Sequence, residues 1–204
     1  MIAFKYSKLD GAEFISHLDT LRHLNKTFKR AGFKVKLSQG FHPHMLVYMS
    51  SPIGVGLKSY AEYCTVEVDI GAEEFKQAFN ECSPKGIKCI DAYVVEKNPN
   101  FASVITSARY YIEGLVGVNA DEVMAMQSFT VTDKKGQPKE VREKIYSFRQ
   151  RGNGYEAVLA AGNNALRPDA FVKTLLETYG EAEVEIIKEE SFILDGQEVS
   201  SLVK

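Results

Sequence analysis

Ala61-Glu62-Tyr63-Cys64-Thr65-Val66-Glu67-Val68-Asp69-Ile70 alternates, with Tyr63, Thr65, Glu67 and Asp69 on one side and Cys64, Val66, Val68 and Ile70 on the other. Successive side chains of an extended chain point to opposite faces, so this stretch reads as a half-buried strand. Its flanks decide the fold. Upstream, residues 2–8 read as a strand, and Ser16 opens a helix with Asp19 three positions on, a capping-box-like start. That helix ends at Gly32, which suits the left-handed C′ position. Its expected apolar face is Phe14, Leu18, Leu21, Leu24 and Phe28, with Arg22, Lys26, Lys29 and Arg30 on the opposite side. Strand-like segments at 33–37 and 45–50 precede the alternating stretch, and a helix at 72–82 and a strand at 87–95 follow it. The order βαββαβ is that of a ferredoxin-like module.

After the polar stretch Lys97-Asn98-Pro99-Asn100 the plan repeats. Ala108–Gly117 reads as a strand, Ala120–Ser128 as a helix and 129–133 as a strand. Ile145–Arg151 and Tyr155–Ala161 form a hairpin around Gly152-Asn153-Gly154, whose Asn and Gly residues tolerate positive φ. Pro168 starts a helix that runs to Gly180, and Glu183–Leu194 supplies the last strand. The expected fold is α+β, two tandem ferredoxin-like modules over residues 1–97 and 98–204. The repeat is one of pattern, without sequence similarity between the halves.

With 204 residues, 45 % hydrophobic and 25 % charged, the chain has the balance of a water-soluble globule, and disorder or collagen-like repeats are excluded. Charge appears within the first eight residues and no eighteen apolar residues run together, which predicts a cytoplasmic protein with no signal peptide or membrane span. Cys64, Cys82 and Cys89 match no disulfide, zinc or iron–sulfur spacing and read as free thiols.

The net charge of −2 hides a segregated distribution. Thr20 to Ala61 holds Arg22, Lys26, Lys29, Arg30, Lys34, Lys36 and Lys58 with no acid. Lys134 to Arg151 holds Lys134, Lys135, Lys139, Arg142, Lys144, Arg149 and Arg151 against Glu140 and Glu143. An acidic body thus carries two basic stretches, expected to converge on one polyanion-binding groove.

All four histidines, His17, His23, His42 and His44, lie in or beside the acid-free stretch. His17 falls in the first turn of the helix, on its apolar side, and His23 among the polar positions. Ser38-Gln39-Gly40-Phe41-His42-Pro43-His44 joins a flexible Gly, an aromatic ring and two imidazoles, groups that titrate near neutrality and suit proton transfer or phosphate binding. A zinc site would need ligands from elsewhere, such as Asp19 or Cys64, so no metal is assigned. Pro52-Ile53-Gly54-Val55-Gly56-Leu57-Lys58-Ser59 departs from P-loop spacing because Leu57 separates Gly56 from Lys58; its glycines still let backbone amides approach an anion.

Ser16-His17-Leu18-Asp19, then Arg30, Ser38-x-Gly40-Phe41-x-Pro43-His44, Gly54-x-Gly56-x-x-Ser59 and Glu62, resembles the radical-SAM-linked family, a domain of unknown function. Its members are fused to, or encoded beside, radical S-adenosylmethionine proteins. Lys135, Arg142 and Arg167-Pro168 fall at places the pattern favours, whereas His42 and Met45 stand where Asn and Pro are more usual. The chain lacks the C-x-x-x-C-x-x-C cluster motif of the radical enzymes themselves. The paired-module plan is also similar to that of CRISPR repeat-processing endoribonucleases, a likeness of fold alone.

The reading that combines these features is an RNA-binding accessory protein, with no cofactor of its own, that presents an RNA such as tRNA to a radical S-adenosylmethionine partner. Its expected binding residues are Asp19, Arg22, Lys26, Arg30, Lys36, Gly40, Phe41, His42, Lys58, Ser59, Lys135, Arg142 and Arg149, with Tyr48 and Tyr60 available for stacking. The alternatives are a metal-independent endoribonuclease with His17 and His44 as acid and base, Lys36 or Lys58 steadying the phosphorane, and a protein–protein adaptor without nucleic acid.

Overall fold

The computed structural model describes residues 1–133 and 135–203. Among these the order is β1 (Ile2–Lys8), α1 (His17–Arg30), β2 (Val47–Met49), β3 (Lys58–Val66), α2 (Ala72–Cys82), β4 (Cys89–Val94), α3 (Phe101–Val104), β5 (Ile105–Glu113), α4 (Ala120–Ala125), β6 (Thr130–Thr132), β7 (Pro138–Glu140), β8 (Ile145–Arg151), β9 (Gly154–Ala160), α5 (Pro168–Tyr179) and β10 (Glu185–Ile193). The fold is α+β, built on one eight-stranded, mostly antiparallel sheet. The strands run β4-β1-β3-β10-β5-β9-β8, with β2 beside β3.

The two halves do not form separate sheets. β1 occupies one edge of β3, so β2 and β10 share the other. β2 pairs with the Cys64–Val66 end, while Lys58 and Ser59 run parallel to Ile187 and Lys188 of β10. That short parallel contact joins the halves.

Phe4 of β1 meets Phe28 of α1 and Phe75 and Phe79 of α2 at ring-centroid distances of 6.2, 5.1 and 5.5 Å. In the second half Phe171 of α5 packs edge-on against Phe148 of β8 at 5.3 Å. A third cluster forms where Phe101, Val199 and Val203 cover Ala3, Ala61 and Tyr63.

The third cluster explains one departure from expectation: β3 is buried on both faces rather than half-buried, with Tyr63 and Thr65 as inaccessible as Cys64 and Val66. α1 departs too. Its buried face is Thr20, Leu24, Thr27 and Phe28, at i, i+4, i+7 and i+8, whereas Phe14 and Leu18 are 68 % and 63 % exposed. Phe14 belongs to a preceding 3-10 turn, so the helical angle does not apply to it. Residues 33–37 form no strand, only an isolated bridge from Leu37 to Met45. The segment at 129–133 supplies β6, which pairs with β7 outside the main sheet. In the β8–β9 hairpin only Gly152 takes positive φ; Gly154 is already strand, where a Cβ would strike Ile112 O at 2.5 Å. The three cysteines are free, and burial pushes the Cys89 thiol up to about 12. No helix among the described residues is long and apolar enough to cross a membrane.

Glu140 ties the small hairpin down. Its carboxylate accepts from the Ser128 hydroxyl and from the amides of Phe129 (2.9 Å) and Arg142 (2.8 Å), and these donors hold it down to about 2. Because the folded value lies below the unfolded one, the contribution is present above the ordinary glutamate range and lost as pH falls towards 2. A carboxyl-carbon NMR titration is expected to give Glu140 a midpoint near 2. A midpoint at the ordinary value of about 4.3 would show these bonds absent in solution.

Candidate functional site

The local sequence first fixes the start of α1. The Ser16 oxygen accepts the Asp19 amide (3.1 Å), its hydroxyl donates to Asp19 Oδ2 (2.8 Å), and Arg22 reaches Asp19 Oδ1 at 2.7 Å. The Ser16 hydroxyl, followed by Arg22, holds the Asp19 carboxyl below its usual value. This is the expected Ser16 cap, with the Asp19 carboxylate returning to the Ser16 hydroxyl rather than to its amide, and it commits Asp19 to its own helix. His17, the first helical residue, is partly buried.

Facing this helix start is the loop 51–57. The Gly56 amide donates to Glu13 O at 2.8 Å, and its φ of +88° is a backbone conformation that glycine adopts without strain. β10 then brings the second half in. Its parallel register sets Lys188 opposite Ser59, and Lys188 Nζ donates to Glu62 Oε1 at 3.1 Å. Ser59, fully buried, donates to the same oxygen at 2.8 Å. Lys8, 4 % exposed, donates to Ile15 O at 2.8 Å just before the Ser16 cap. Burial lowers the Lys8 amine, opposed by the carboxylates of Glu62 and Glu13.

Above this buried charge cluster lies a cleft of about 550 Å³ lined by His17, the Pro52–Val55 turn, Tyr110 of β5, Arg167 and Asp169 at the start of α5, and Lys188. Such a volume is that of a small-molecule site. Burial, then Glu62 and Asp169, raise the Tyr110 phenol, which stays neutral at physiological pH. The cleft therefore combines the charged groups of Lys188, Arg167 and Asp169 with apolar walls. Ser16, His17, Gly54, Arg167 and Pro168 of the quoted motifs line it, and Ser59 and Glu62 bond one another beneath it.

The other expected residues go elsewhere. His44 is exposed, its ring bonded to the Ser38 hydroxyl at 2.8 Å, in the loop beyond the Val66 end of β3, whereas His17 sits near the Lys58 end. Nine residues of strand at about 3.3 Å each separate those ends, so the two histidines are not brought together as an acid–base pair. Gly40, Phe41 and His42 are exposed beside His44, with Phe41 wholly in solvent.

Among the described residues most cations of the two basic stretches are not free, because folding supplies partners from elsewhere in the chain. Lys36 pairs with Glu67 and Lys58 with Glu185; Arg30 donates to Cys82 O. Arg142 is bound by the carbonyls of Met124, Met126 and Ile145, a structural clamp. Lys144 is buried against Asn164, Arg149 pairs with Glu156, and Arg151 bridges Glu156 and Glu189. Lys135 and Lys139 stay exposed on the β6–β7 hairpin, and Lys134 lies outside the described residues. Among the described residues no three His, Cys, Asp or Glu side chains gather as a metal site.

Four residues of the cleft and its floor are absent from the site expected from sequence: Glu62, Tyr110, Arg167 and Lys188. Glu62 and Arg167 stand within quoted motifs, so a signal existed for them. Lys188 gives none, since a lysine in a charged strand reads as surface. No curated protein matches the sequence, and nothing found in comparison with known families links the chain to radical S-adenosylmethionine proteins. Residues 2–177 match DUF2344, described as an uncharacterized protein conserved in bacteria, and the chain belongs to that family.

Proposed function

We propose that the chain is an RNA-binding accessory protein to a radical S-adenosylmethionine partner, built of two ferredoxin-like modules over residues 1–97 and 98–204. The strand orders β4-β1-β3-β2 and β10-β5-β9-β8 support the modular reading, because each is the arrangement of a split βαβ unit. The partner is supported by the motif resemblance over Ser16–Asp19, Ser38–His44 and Gly54–Glu62.

The RNA surface of this proposal is narrower than the two-stretch groove. It is the outer face of α1 with the following loop. One observation carries it: Lys26, Lys29 and Lys34 are exposed and have no carboxylate within ion-pair distance among the described residues, and the fully exposed Phe41 ring follows in the same segment. Unpaired lysines bind phosphates and release counterions, and a bare ring stacks on an unpaired base. Lys26→Glu/Lys29→Glu/Lys34→Glu is expected to weaken binding of a tRNA more than tenfold in fluorescence anisotropy at low salt. It should flatten the log–log salt dependence by about 0.7–0.9 per lysine. Unchanged affinity and slope would remove the RNA reading. Tagged chain that recovers no radical S-adenosylmethionine protein from its own bacterium would remove the partner.

A further inference from the structure

We propose that the cleft between the start of α1 and the start of α5 binds a phosphate monoester carried on a compact apolar or aromatic body the size of a mononucleotide. This site is separate from the cationic face of α1 and goes beyond the RNA reading.

The cleft is a built cavity. Its walls are apolar, from Ile53, Ile105, Leu166 and Tyr110. Lys188 of β10, Arg167 at the start of α5 and His17 at the start of α1 line it from three separate elements. Lys188 is only 5 % exposed, and its ammonium makes one hydrogen bond among the described residues, to Glu62. An ammonium carries three donors, and a buried donor without an acceptor is costly, so a ligand oxygen in the cleft answers an unmet demand.

Spare donors select the sign of the ligand. Lys188 and Arg167 each already face one carboxylate, Glu62 beneath the cleft and Asp169 in its wall, and each keeps donors that no group among the described residues accepts. An anion takes up such donors. Donors arriving from separate directions suit a tetrahedral phosphate better than a planar carboxylate. Ser16 and His17 bring the first turn of α1, with amides that capping leaves unused, to the same cleft.

The same chemistry is offered by a free nucleotide and by the 5′ end of an RNA, so the test uses matched pairs on the full chain: AMP with adenosine, and a 5′-phosphorylated RNA pentamer with its 5′-hydroxyl twin. Calorimetry is expected to show at least tenfold tighter binding of the phosphorylated member in one pair, and which pair identifies the source. Arg167→Gln, whose side chain is half exposed and whose loss spares the core, should abolish that preference, as should Lys188→Met/Glu62→Gln, which removes the buried ammonium and its counter-charge together. Lys26→Glu/Lys29→Glu should leave the preference intact. Equal binding within both pairs, or a preference that survives Arg167→Gln and disappears in Lys26→Glu/Lys29→Glu, overturns the proposal.

Discussion

Lys188→Met is expected to destabilise the fold by about 3–5 kcal/mol, the usual cost of leaving one member of a buried ion pair unpaired. Lys188 and Glu62 have side chains only 7 % and 4 % exposed and are bonded at 3.1 Å. Glu62 also accepts from Ser59, so without the ammonium its charge keeps one neutral donor and the more distant influence of Lys8. Lys188→Met/Glu62→Gln should recover part of the loss, because the amide oxygen can still accept from Ser59 and no unpaired charge remains. The coupling read from the full cycle of single and double variants in guanidinium denaturation should be about 1–3 kcal/mol. Additive losses would mean that the pair does not form in solution, and the junction of the halves would then need another explanation.

Phe4→Ala should cost about 3–5 kcal/mol for a different reason, the cavity left in a close-packed aromatic cluster. The ring is 1 % exposed and touches Tyr6, Phe28, Phe75 and Phe79 with centroids 5.1 to 6.2 Å away. These partners come from β1, α1 and α2, so the gap can close only by moving two helices. In thermal unfolding the loss should appear as a drop of roughly 6–20 °C, at about 2–4 °C per kcal/mol for a chain of this size. Phe4→Leu, which keeps most of the volume, should cost less than about 2 kcal/mol. A Phe4→Ala variant within about 1 kcal/mol of the parent would contradict the packing described.

Both effects concern the frame around the cleft. The ion pair sits at the short parallel contact between β3 and β10, and the aromatic cluster anchors α1, whose first residues wall the cleft. Stability measurements on these variants and binding measurements on Arg167→Gln therefore probe separate properties of one junction.

Much of the secondary structure was legible because it depends on near neighbours. The Ser16 cap, α2 at Ala72–Cys82, the β8–β9 hairpin and Pro168 at the first position of α5 all follow from local periodicity and turn chemistry. The site was legible in part: His17 and the Gly54–Gly56 turn were among the features singled out, and both border the cleft. The pairing of the basic stretches was not legible because sequence shows where charges lie along the chain, not which carboxylates fold against them. Glu67, Glu156, Glu185 and Glu189 all lie outside the basic stretches they neutralise.

The amino-acid order alone determined the four longer helices, most strands and the acid-free stretch around α1, since i to i+4 contacts and the two-residue strand period are written in consecutive residues. Only the tertiary structure decided that two halves share a single sheet and that Lys188 meets Glu62. It also decided that a cleft opens beside α1, because these depend on which edge of β3 receives β10. Strand pairing across more than a hundred residues rests on long-range burial and hydrogen bonding, for which no local spacing in the chain carries a signature.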